Sequence, residues 1–152
     1  MSMENVRWFE AAWADLSLDD LYDLLQLRQL VFIKEQNCPF VDADGKDKGA
    51  IHLWARDESG RMVACARYAG PGYFFEEASI GRIVSHPEMR GRGLGKELVK
   101  RGIERLFWKF GSQPIRIGAQ KYLTGFYGSF GFEATGGIYL EDGIEHVEML
   151  RP

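Results

Sequence analysis

The most informative stretch of this chain is Arg90-Gly91-Arg92-Gly93-Leu94-Gly95. Residues 78–85, shortly before this stretch, have the composition of a β-strand, and residues 96–106, directly after it, have the composition of a helix. Glycines allow backbone N–H groups to converge on a ligand, and the first turn of a helix has N–H donors without intrahelical acceptors. A strand, a glycine-rich turn and a helix start in this order therefore predict a site for a phosphate or pyrophosphate.

Two widespread phosphate-binding patterns do not fit this stretch. The dinucleotide fingerprint requires glycine at its sixth position, where this chain has Lys96. The P-loop requires Ser or Thr after Gly-Lys, and here Glu97 follows Lys96. What remains is the pattern Arg-x-x-Gly-x-Gly, which begins at Arg90. A surface turn rich in Arg and Gly that only caps a helix would also explain these residues.

Length and composition indicate an ordinary globular protein. The chain has 152 residues, of which 45% are hydrophobic and 27% are charged, and we expect residues 1–152 to form a single domain. The net charge is −3, and basic residues concentrate around the glycine-rich turn. A local basic cluster on an acidic chain favours a small polyanionic ligand over nucleic acid. The lack of an RNP-type aromatic strand also disfavours RNA binding.

The sequence predicts neither a membrane segment nor a metal site. No apolar run is long enough to span a bilayer and no signal-like segment opens the chain, so we expect a cytoplasmic protein. Cys38 and Cys65 are then expected to stay reduced, and no Cys/His spacing suggests zinc. Asp42, Asp44 and Asp47 lack the residue order of a calcium loop, and we interpret them as a solvated acidic loop.

Hydrophobic periodicity and turn residues predict the order β-α-β-β-β-α-β-α-β-β, which is typical of an α/β domain with a mixed sheet. Ser17 with Asp20 predicts a helix start. The polar segment 37–49 is long enough to be a functional loop. We expect helices from 17 to about 34, from about 96 to 110 and over 120–130, and strands over 6–13, 51–57, 61–68, 80–85, 115–119, 132–140 and 144–150.

A family resemblance accompanies this pattern. The Arg-x-x-Gly-x-Gly stretch at Arg90 resembles the acetyl-CoA pyrophosphate loop of the GNAT N-acetyltransferase superfamily. Gln120, Tyr127 and Gly131-Phe132 resemble a second segment of that superfamily, Asn-x6-Tyr-x3-Gly-Phe, with Gln120 in place of the more common Asn. The predicted element order is also similar to GNAT along nearly the whole chain. The resemblance implies a central, mostly antiparallel twisted sheet flanked by helices.

A closer resemblance is to the ElaA-like branch of this superfamily. It is carried by short stretches at 27–32, 35–39, 44–47, 80–84, 119–120 and 141–146. ElaA-like proteins usually have Pro before the histidine of the last stretch, whereas this chain has Glu145 before His146. The departure lies next to a candidate site residue.

The GNAT resemblance implies that acetyl-CoA is the cosubstrate and that a primary amine attacks its thioester without a covalent enzyme intermediate. Backbone groups of Ile83, Val84 and Ser85 would pair with the pantetheine as an added strand, and one N–H near Ile83 or Val84 would polarise the thioester carbonyl. N–H groups of the glycine-rich loop would hold the pyrophosphate. The implied cofactor-binding residues are Ile83, Val84, Ser85, Arg90, Gly91, Arg92, Gly93, Leu94, Gly95, Lys96 and Gln120.

Tyr127 is the candidate acid because of its place in the second GNAT-like segment. The departing CoA thiolate resembles a cysteine thiolate, whose thiol has a pKa of about 8.5. A phenol with a pKa of about 10 can donate a hydrogen bond or a proton to it. Tyr127 could instead be a core aromatic residue beside Phe126 and Phe130.

Several residues are candidates for the base that deprotonates the attacking ammonium group. His146 lies at the start of the last predicted strand after a tight hairpin, and an imidazole changes charge near neutral pH. A structural histidine bonded to loop backbone is the alternative at that position. His52, Glu35 and Asp142 are further candidates, and a water chain to bulk solvent could replace a single base. We expect Arg82 to form a structural salt bridge.

The GNAT resemblance therefore implies an acetyltransferase that uses acetyl-CoA and acts on a primary amine of a small molecule or peptide, and we expect it to need no metal. The acidic loop would favour a cationic acceptor, although a solvated loop explains its charges equally well. A non-catalytic CoA-binding or sensing module would carry the same glycine-rich loop and is the alternative function. The GNAT resemblance also allows a homodimer.

Overall fold

The computed structural model describes residues 5–152. The helices are α1 Leu18–Arg28, α2 Leu94–Phe110 and α3 Thr124–Gly128, and α1 continues directly into a π-helical segment, Gln29–Glu35. The strands are β1 Arg7–Ala12, β2 Ile51–Arg56, β3 Met62–Ala69, β4 Ser79–Ser85, β5 Ile115–Gln120, β6 Glu133–Glu141 and β7 Ile144–Arg151. The predicted order of helices and strands is confirmed.

The strands form two antiparallel sheets that meet at one point. The first sheet has the order β1-β2-β3-β4 and the second has the order β5-β7-β6. Backbone pairing between the sheets is limited, among residues 5–152, to a parallel bridge of Ala78 with Ile115, where the Arg116 N–H donates to the Ala78 carbonyl over 2.9 Å. Strands β4 and β5 start side by side at this bridge and then diverge. The expected mostly antiparallel sheet flanked by helices is confirmed.

Two hydrophobic cores hold the helices against opposite faces of the first sheet. Leu53 and Ala55 of β2 belong to the larger core, while Trp54 between them belongs to the smaller one, as alternation along a strand requires. Helix α2 contributes one buried face to the larger core, and the second sheet joins the same core through Ile117 and Met149. Helix α1 and the π-helical segment contribute to the smaller core with Leu24, Leu27 and Val31.

Strand β4 contains a β-bulge beside the diverging edge. Two residues of β4, Arg82 and Ile83, lie opposite the single residue Ala66 of β3. Arg82 has a φ of +48°, which is uncommon for a residue with a side chain. The extra residue exchanges the faces of the strand beyond it. Ile80 therefore lies in the larger core and Val84 in the smaller one, although residues four apart share a face in a regular strand.

Two local predictions have different outcomes. The Asp20 N–H donates to Ser17 Oγ over 3.0 Å, which confirms the predicted helix start. The helix predicted over 120–130 is wrong in extent, since Gln120 ends β5, a 3₁₀ turn follows at Lys121–Leu123, and α3 has only five residues. Glycines at 125, 128 and 131 disfavour a longer helix, because glycine loses more backbone entropy there than other residues do.

The acidic loop is only partly solvated, contrary to our expectation, because Asp44 is exposed but the other two aspartates are not. Asp42 and Asp47 are buried, with 6% of the surface of each exposed. Arg28 binds both carboxylates, over 2.8 and 2.7 Å. Arg82 binds Asp42 over 2.8 Å, as a structural salt bridge of the kind we expected, and Arg67 binds Asp44 over 2.6 Å. The arginines neutralise these charges inside the fold, so the loop presents no free negative surface to a cationic acceptor.

Candidate active site

The divergence of β4 and β5 opens a cleft of about 410 Å³. Residues 80–85 of β4 form one wall and residues 117–120 of β5 form the facing wall. The π-helical segment lines the cleft with Val31, Phe32 and Glu35, and α3 lines it with Phe126 and Tyr127. The volume falls within the range of small-molecule sites, which is roughly 300–1,000 Å³.

Strand β4 offers the cleft a backbone edge without a strand partner. At its other edge, just after β4, the His86 N–H donates to the Val63 carbonyl over 2.7 Å. Successive residues of an antiparallel strand turn their backbone groups to opposite edges, so we infer that Ile83 and Ser85 face the cleft while Val84 faces β3. Past the bridge, no strand among residues 5–152 pairs with the cleft-facing edge. This edge can bind an extended chain that carries amide groups.

The glycine-rich loop lies between this edge and helix α2. Gly91 and Gly93 have φ values of +81° and +79°, a left-handed conformation that favours glycine. Gly93 is the N-cap of α2, and no side chain in the described part of the chain caps this helix end. The N–H groups of residues 94–96 lie in the first turn and have no intrahelical acceptor. The loop therefore has the geometry of an anion site, as the sequence predicts, while the identity of its ligand stays a prediction.

Part of the predicted cofactor-binding set lines the cleft directly. Arg90, Gly95 and Gln120 do so, together with the predicted residues of β4. Leu94 is buried in the larger core with 1% of its surface exposed, so it can contribute its backbone N–H but not its side chain. The remaining predicted residues are exposed beside the cleft, three of them on the loop and the last in the first turn of α2: Gly91, Arg92, Gly93 and Lys96.

Two side-chain contacts join the end of the π-helical segment to the walls of the cleft. Arg90 donates to both carboxylate oxygens of Glu35, over 2.6 and 2.7 Å. The side-chain amides of Gln36 and Gln120 hydrogen-bond each other over 3.3 Å. All four residues line the cleft. An anion that binds Arg90 must therefore compete with the Glu35 carboxylate.

Tyr127 combines the two interpretations that its sequence position allowed. It lines the cleft, yet only 7% of its surface is exposed, and its ring packs edge-on against Phe126 and Phe132 with centroid distances of 5.2 and 6.1 Å. Burial raises the pKa of its hydroxyl above the usual value. The hydroxyl forms no hydrogen bond with residues 5–152. It is therefore a protonated donor that is available to a ligand.

His146 lies on β7, at the end of the second sheet that faces the cleft, and it pairs with Gln120 of β5. It lines the cleft and is 8% exposed. Its Nδ1 lies 2.8 Å from the Ile144 carbonyl, and because a carbonyl only accepts, the proton of the neutral ring is on Nδ1. Its Nε2 is left as an acceptor, 3.5 Å from Glu141 Oε2. The histidine is thus bonded to backbone and also presents a basic nitrogen beside the cleft.

The other candidate bases occupy less suitable positions. His52 is 1% exposed and its Nε2 donates to the Asp47 carbonyl over 2.9 Å. Glu35 lines the cleft, but Arg90 binds its carboxylate. Asp142 lies in the hairpin turn and does not line the cleft. Among the titratable candidates, His146 therefore has the geometry that best suits a base.

Sequence reasoning missed Glu141 as a member of this site. Glu141 lines the cleft and lies near His146. The signal was present in Asp142-Gly143, which adopt positive φ values of +52° and +78° and form a two-residue turn. Such a turn fixes the register of its hairpin, and this register pairs Glu141 with Ile144.

The described residues contain neither a metal cluster nor a membrane helix. Over residues 5–152, no three His, Cys, Asp or Glu side chains are arranged to hold a metal ion. None of the helices in that range has the length and apolar character needed to cross a bilayer. Both cysteines are buried, the Cys38 thiol donates to the Asp142 carbonyl over 2.9 Å, and burial raises the pKa of Cys65 to about 12. These environments suit structural thiols.

Residues 38–151 match the family model described as an acetyltransferase (GNAT) domain. The chain belongs to the GNAT acetyltransferase family. Among GNAT relatives, protein ElaA of Escherichia coli is 38% identical over 150 residues, with 96% of each chain covered. A UPF0039 protein of Synechocystis is 37% identical over 146 residues, which cover 96% of this chain and 95% of the relative. The resemblance to the ElaA-like branch is thereby confirmed.

A solved structure has the same overall fold as this chain. The crystal structure of an acyl-CoA N-acyltransferase from Pseudomonas aeruginosa superposes with a TM-score of 0.91 at 38% identity. The match covers 97% of this chain and 99% of that protein. The divergent β4 and β5 and the loop before α2 thus belong to a GNAT domain.

Proposed function

We propose that this protein transfers an acetyl group from acetyl-CoA to a primary amine, by direct attack of the amine in a ternary complex. The observation that carries the proposal is the continuity of the cleft. The open edge of β4 leads to the anion-binding geometry of the glycine-rich loop, and Tyr127 and His146 line the same cleft. The name of the Pseudomonas aeruginosa relative, an acyl-CoA N-acyltransferase, supports the same chemistry.

Backbone groups would do most of the binding. Ile83 and Ser85 would pair with the pantetheine amides, and the N–H groups of residues 94–96 would bind the pyrophosphate. Arg90 would exchange the Glu35 carboxylate for a phosphate oxygen. An N–H of the bulge would polarise the thioester carbonyl, since a fixed donor stabilises the oxyanion that develops there.

His146 would accept the proton that the amine must lose. An alkyl ammonium has a pKa of about 10.4 and cannot attack a carbonyl while it is protonated. The Ile144 carbonyl holds the proton of the neutral ring on Nδ1, which leaves the Nε2 lone pair for the amine proton. The Glu141 carboxylate, 3.5 Å from Nε2, would then stabilise the imidazolium that forms.

Tyr127 would stabilise the departing CoA thiolate. Because burial raises the pKa of its hydroxyl, complete proton transfer to a thiolate whose thiol has a pKa of about 8.5 is unfavourable. The hydroxyl would therefore act as a hydrogen-bond donor that lowers the free energy of the thiolate. The nitrogen loses two protons between the ammonium and the amide. His146 would pass the first to solvent, and the thiolate would take up an equivalent of the second, which leaves the nitrogen as the tetrahedral intermediate collapses, so the reaction releases one proton overall.

The acceptor would be an amine of a small molecule or a peptide, as is general for GNAT acyltransferases. The acidic loop gives no preference for a cationic acceptor, because arginines neutralise it. A cytoplasmic location and a homodimer remain parts of this proposal.

The first test is calorimetric titration of the purified protein with acetyl-CoA, beside Gly93→Asp. The new carboxylate would repel the pyrophosphate, so we expect micromolar binding to be lost. Gly60→Asp is the matched control, because Gly60 also has a positive φ, of +87°, and open space around a new Cβ, but lies in the β2–β3 turn.

Turnover of a panel of amines, followed by release of free CoA thiol, is the second part of the test. Transfer to at least one amine supports the acetyltransferase proposal. Binding without transfer to any amine would favour the non-catalytic CoA-binding module. A folded wild-type protein that does not bind acetyl-CoA would contradict both functions.

A further inference from the structure

We propose that Asp42, through its ion pair with Arg82, holds the bulge of β4 in the conformation that turns the Ile83 N–H towards the cleft. Asp42 and Arg82 would then be positioning residues for acetyl transfer. The inference rests on the proposed function for the reaction that it serves. The conformation of the bulge itself can be tested without any turnover.

The bulge needs an external support. Arg82 is the extra residue and has a φ of +48°, a conformation that costs free energy for a residue with a Cβ atom. The cleft-facing edge next to it has no strand partner among residues 5–152. Ladder hydrogen bonds on both sides of β4 therefore cannot hold this conformation, and side-chain contacts must contribute.

The side chain of Arg82 has those contacts. Its Nε donates to Asp42 Oδ1 over 2.8 Å, and its Nη2 donates to the Asp42 carbonyl over 3.2 Å. The rings of Phe32 and Phe40 each lie 5.9 Å from its guanidinium carbon. The side chain is 24% exposed, so the ion pair is only partly screened by solvent.

Asp42 is itself held from a third element. Its Oδ2 accepts from Arg28 Nε over 2.8 Å, and Arg28 also donates to Asp47 over 2.7 Å. Arg28 is 2% exposed and lies at the last residue of α1. The bulge is thus connected through two buried charges to the end of a helix, and these charges can position it because they have no room to move.

The bulge decides which backbone donors reach the cleft. It adds one residue to β4, and each added residue reverses the edge to which the following N–H groups point. Without the bulge, Ile83 and Ser85 would turn towards β3 and Val84 would turn towards the cleft. The ion pair of Asp42 with Arg82 therefore selects the N–H that would meet the thioester carbonyl.

The principal test compares Asp42→Asn with Asp44→Asn. Asp44 lies on the same loop and binds Arg67 over 2.6 Å, while its contact with Arg82 is long, at 3.5 Å. We expect Asp42→Asn to speed amide hydrogen exchange over residues 80–86 and to lower kcat at least tenfold. The expected loss is smaller than the roughly 10²–10³-fold loss of kcat that follows removal of an oxyanion donor in other enzymes, because the substitution displaces the Ile83 N–H and does not remove it. We expect acetyl-CoA affinity to change less than kcat, and Asp44→Asn to change neither exchange nor kcat.

A second substitution separates positioning from general stability. Glycine adopts positive φ without steric cost, so Arg82→Gly in the Asp42→Asn background should restore kcat severalfold. Should Asp42→Asn fail to fold, Arg82→Gln replaces it, because that side chain is partly exposed and its loss leaves Asp42 bound to Arg28. We expect Arg82→Gln to speed exchange over residues 80–86 as well.

The outcomes separate this inference from the proposed function. Unchanged exchange in Asp42→Asn, an equal effect of Asp44→Asn, or no recovery with Arg82→Gly would overturn the inference. Faster exchange in a protein that acetylates no amine would support the positioning of the bulge and contradict the proposed reaction.

Discussion

Tyr127 and His146 line one cleft but have different protein partners. The Tyr127 hydroxyl has no hydrogen-bond partner among residues 5–152, and burial raises its pKa. The His146 ring is oriented by the Ile144 carbonyl, and its free nitrogen lies beside the Glu141 carboxylate. In the reaction that we propose, the tyrosine would therefore act as a donor and the histidine as an acceptor.

We expect Tyr127→Phe to lower kcat by roughly 10²-fold, because a lost donor to the thiolate acts on the transition state. Acetyl-CoA affinity should stay within about threefold of the wild type, since the phenyl ring keeps the packing against Phe126 and Phe132. Steady-state kinetics and calorimetry measure the two quantities. Unchanged turnover would remove Tyr127 from the mechanism.

The sequence predicts Tyr127 as a single candidate acid, and the structure places it in the cleft, but the sequence leaves several candidate bases open for a physical reason. The spacing from Gln120 to Phe132 is local, and a motif can carry it. The choice among His146, His52 and Glu35 depends on which partners the fold brings to each. His52 meets the Asp47 carbonyl in the interior, and Glu35 meets Arg90, which is 55 residues away in sequence.

Among the elements, helix α2 approaches strand β4 very closely at Gly102. A Cβ atom added at Gly102 would lie 3.3 Å from Ile80 Cδ1 and 3.6 Å from Ile80 Cγ2. Ile80 belongs to the strand that forms a wall of the cleft. The glycine therefore sets the distance between the helix that begins at the glycine-rich loop and the strand that would bind the pantetheine.

We expect Gly102→Val to lower the free energy of unfolding by about 1–3 kcal/mol, the usual cost of overpacking a core. Gly102→Ala is the matched control, and we expect its stability to stay close to that of the wild type. The new Cβ would lie close to Ile80 Cδ1, which can move aside, and alanine favours a helix over glycine by up to about 1 kcal/mol. Urea denaturation measures both variants. A valine variant as stable as the wild type would show that the helix can move away from β4 at little cost.

Most elements could be predicted because their signals are local. Ser17 caps α1, Gly93 precedes α2, and Asp142-Gly143 forms the turn of the last hairpin. Each of these features depends only on residues that are close together in the sequence. The bulge at Arg82 has no such local signal, because its support comes from Asp42, 40 residues earlier. The short α3 was overestimated because its apolar residues suggested a helix that its glycines do not favour.

At the scale of the whole molecule, charged and titratable groups inside the fold link stability to pH. Burial lowers the pKa of His52, whose Nε2 donates to the Asp47 carbonyl. An imidazole in the unfolded chain has a pKa of about 6.5, so below that pH the unfolded state binds a proton that the folded state does not. The folded state is therefore expected to lose stability as pH falls from 7 to 5.

We expect His52→Gln to reduce this pH dependence. The linkage of one proton amounts to at most about 1.4 kcal/mol per pH unit, and His52 contributes part of the total slope. Glutamine keeps an N–H donor for the Asp47 carbonyl but does not titrate. Urea denaturation of both proteins at pH 7 and pH 5 measures the difference, and equal slopes would exclude His52 as a source of the dependence.

At this scale, the sequence could not predict how the aspartates of the acidic loop are paired. Asp42, Asp44 and Asp47 form an acidic run when only their neighbours along the chain are considered. Their partners lie on α1, β3 and β4, at sequence distances of 14 to 40 residues. Only the assembled fold shows that all three aspartates are paired with arginines and that two of them, Asp42 and Asp47, are buried.

The bridge of Ala78 with Ile115 acts geometrically as a pivot for the two sheets. From Ala78 to Ser85 a strand extends roughly 23 Å at about 3.3 Å per residue, so a rotation of about 5° at the pivot would move the far end by roughly 2 Å. Ala78 is fully buried, with 0% of its surface exposed. The width of the cleft therefore depends on the packing around Ala78. A larger side chain at this position would rotate β4 slightly against β5, and the resulting displacement would be greatest at the far end of the strand.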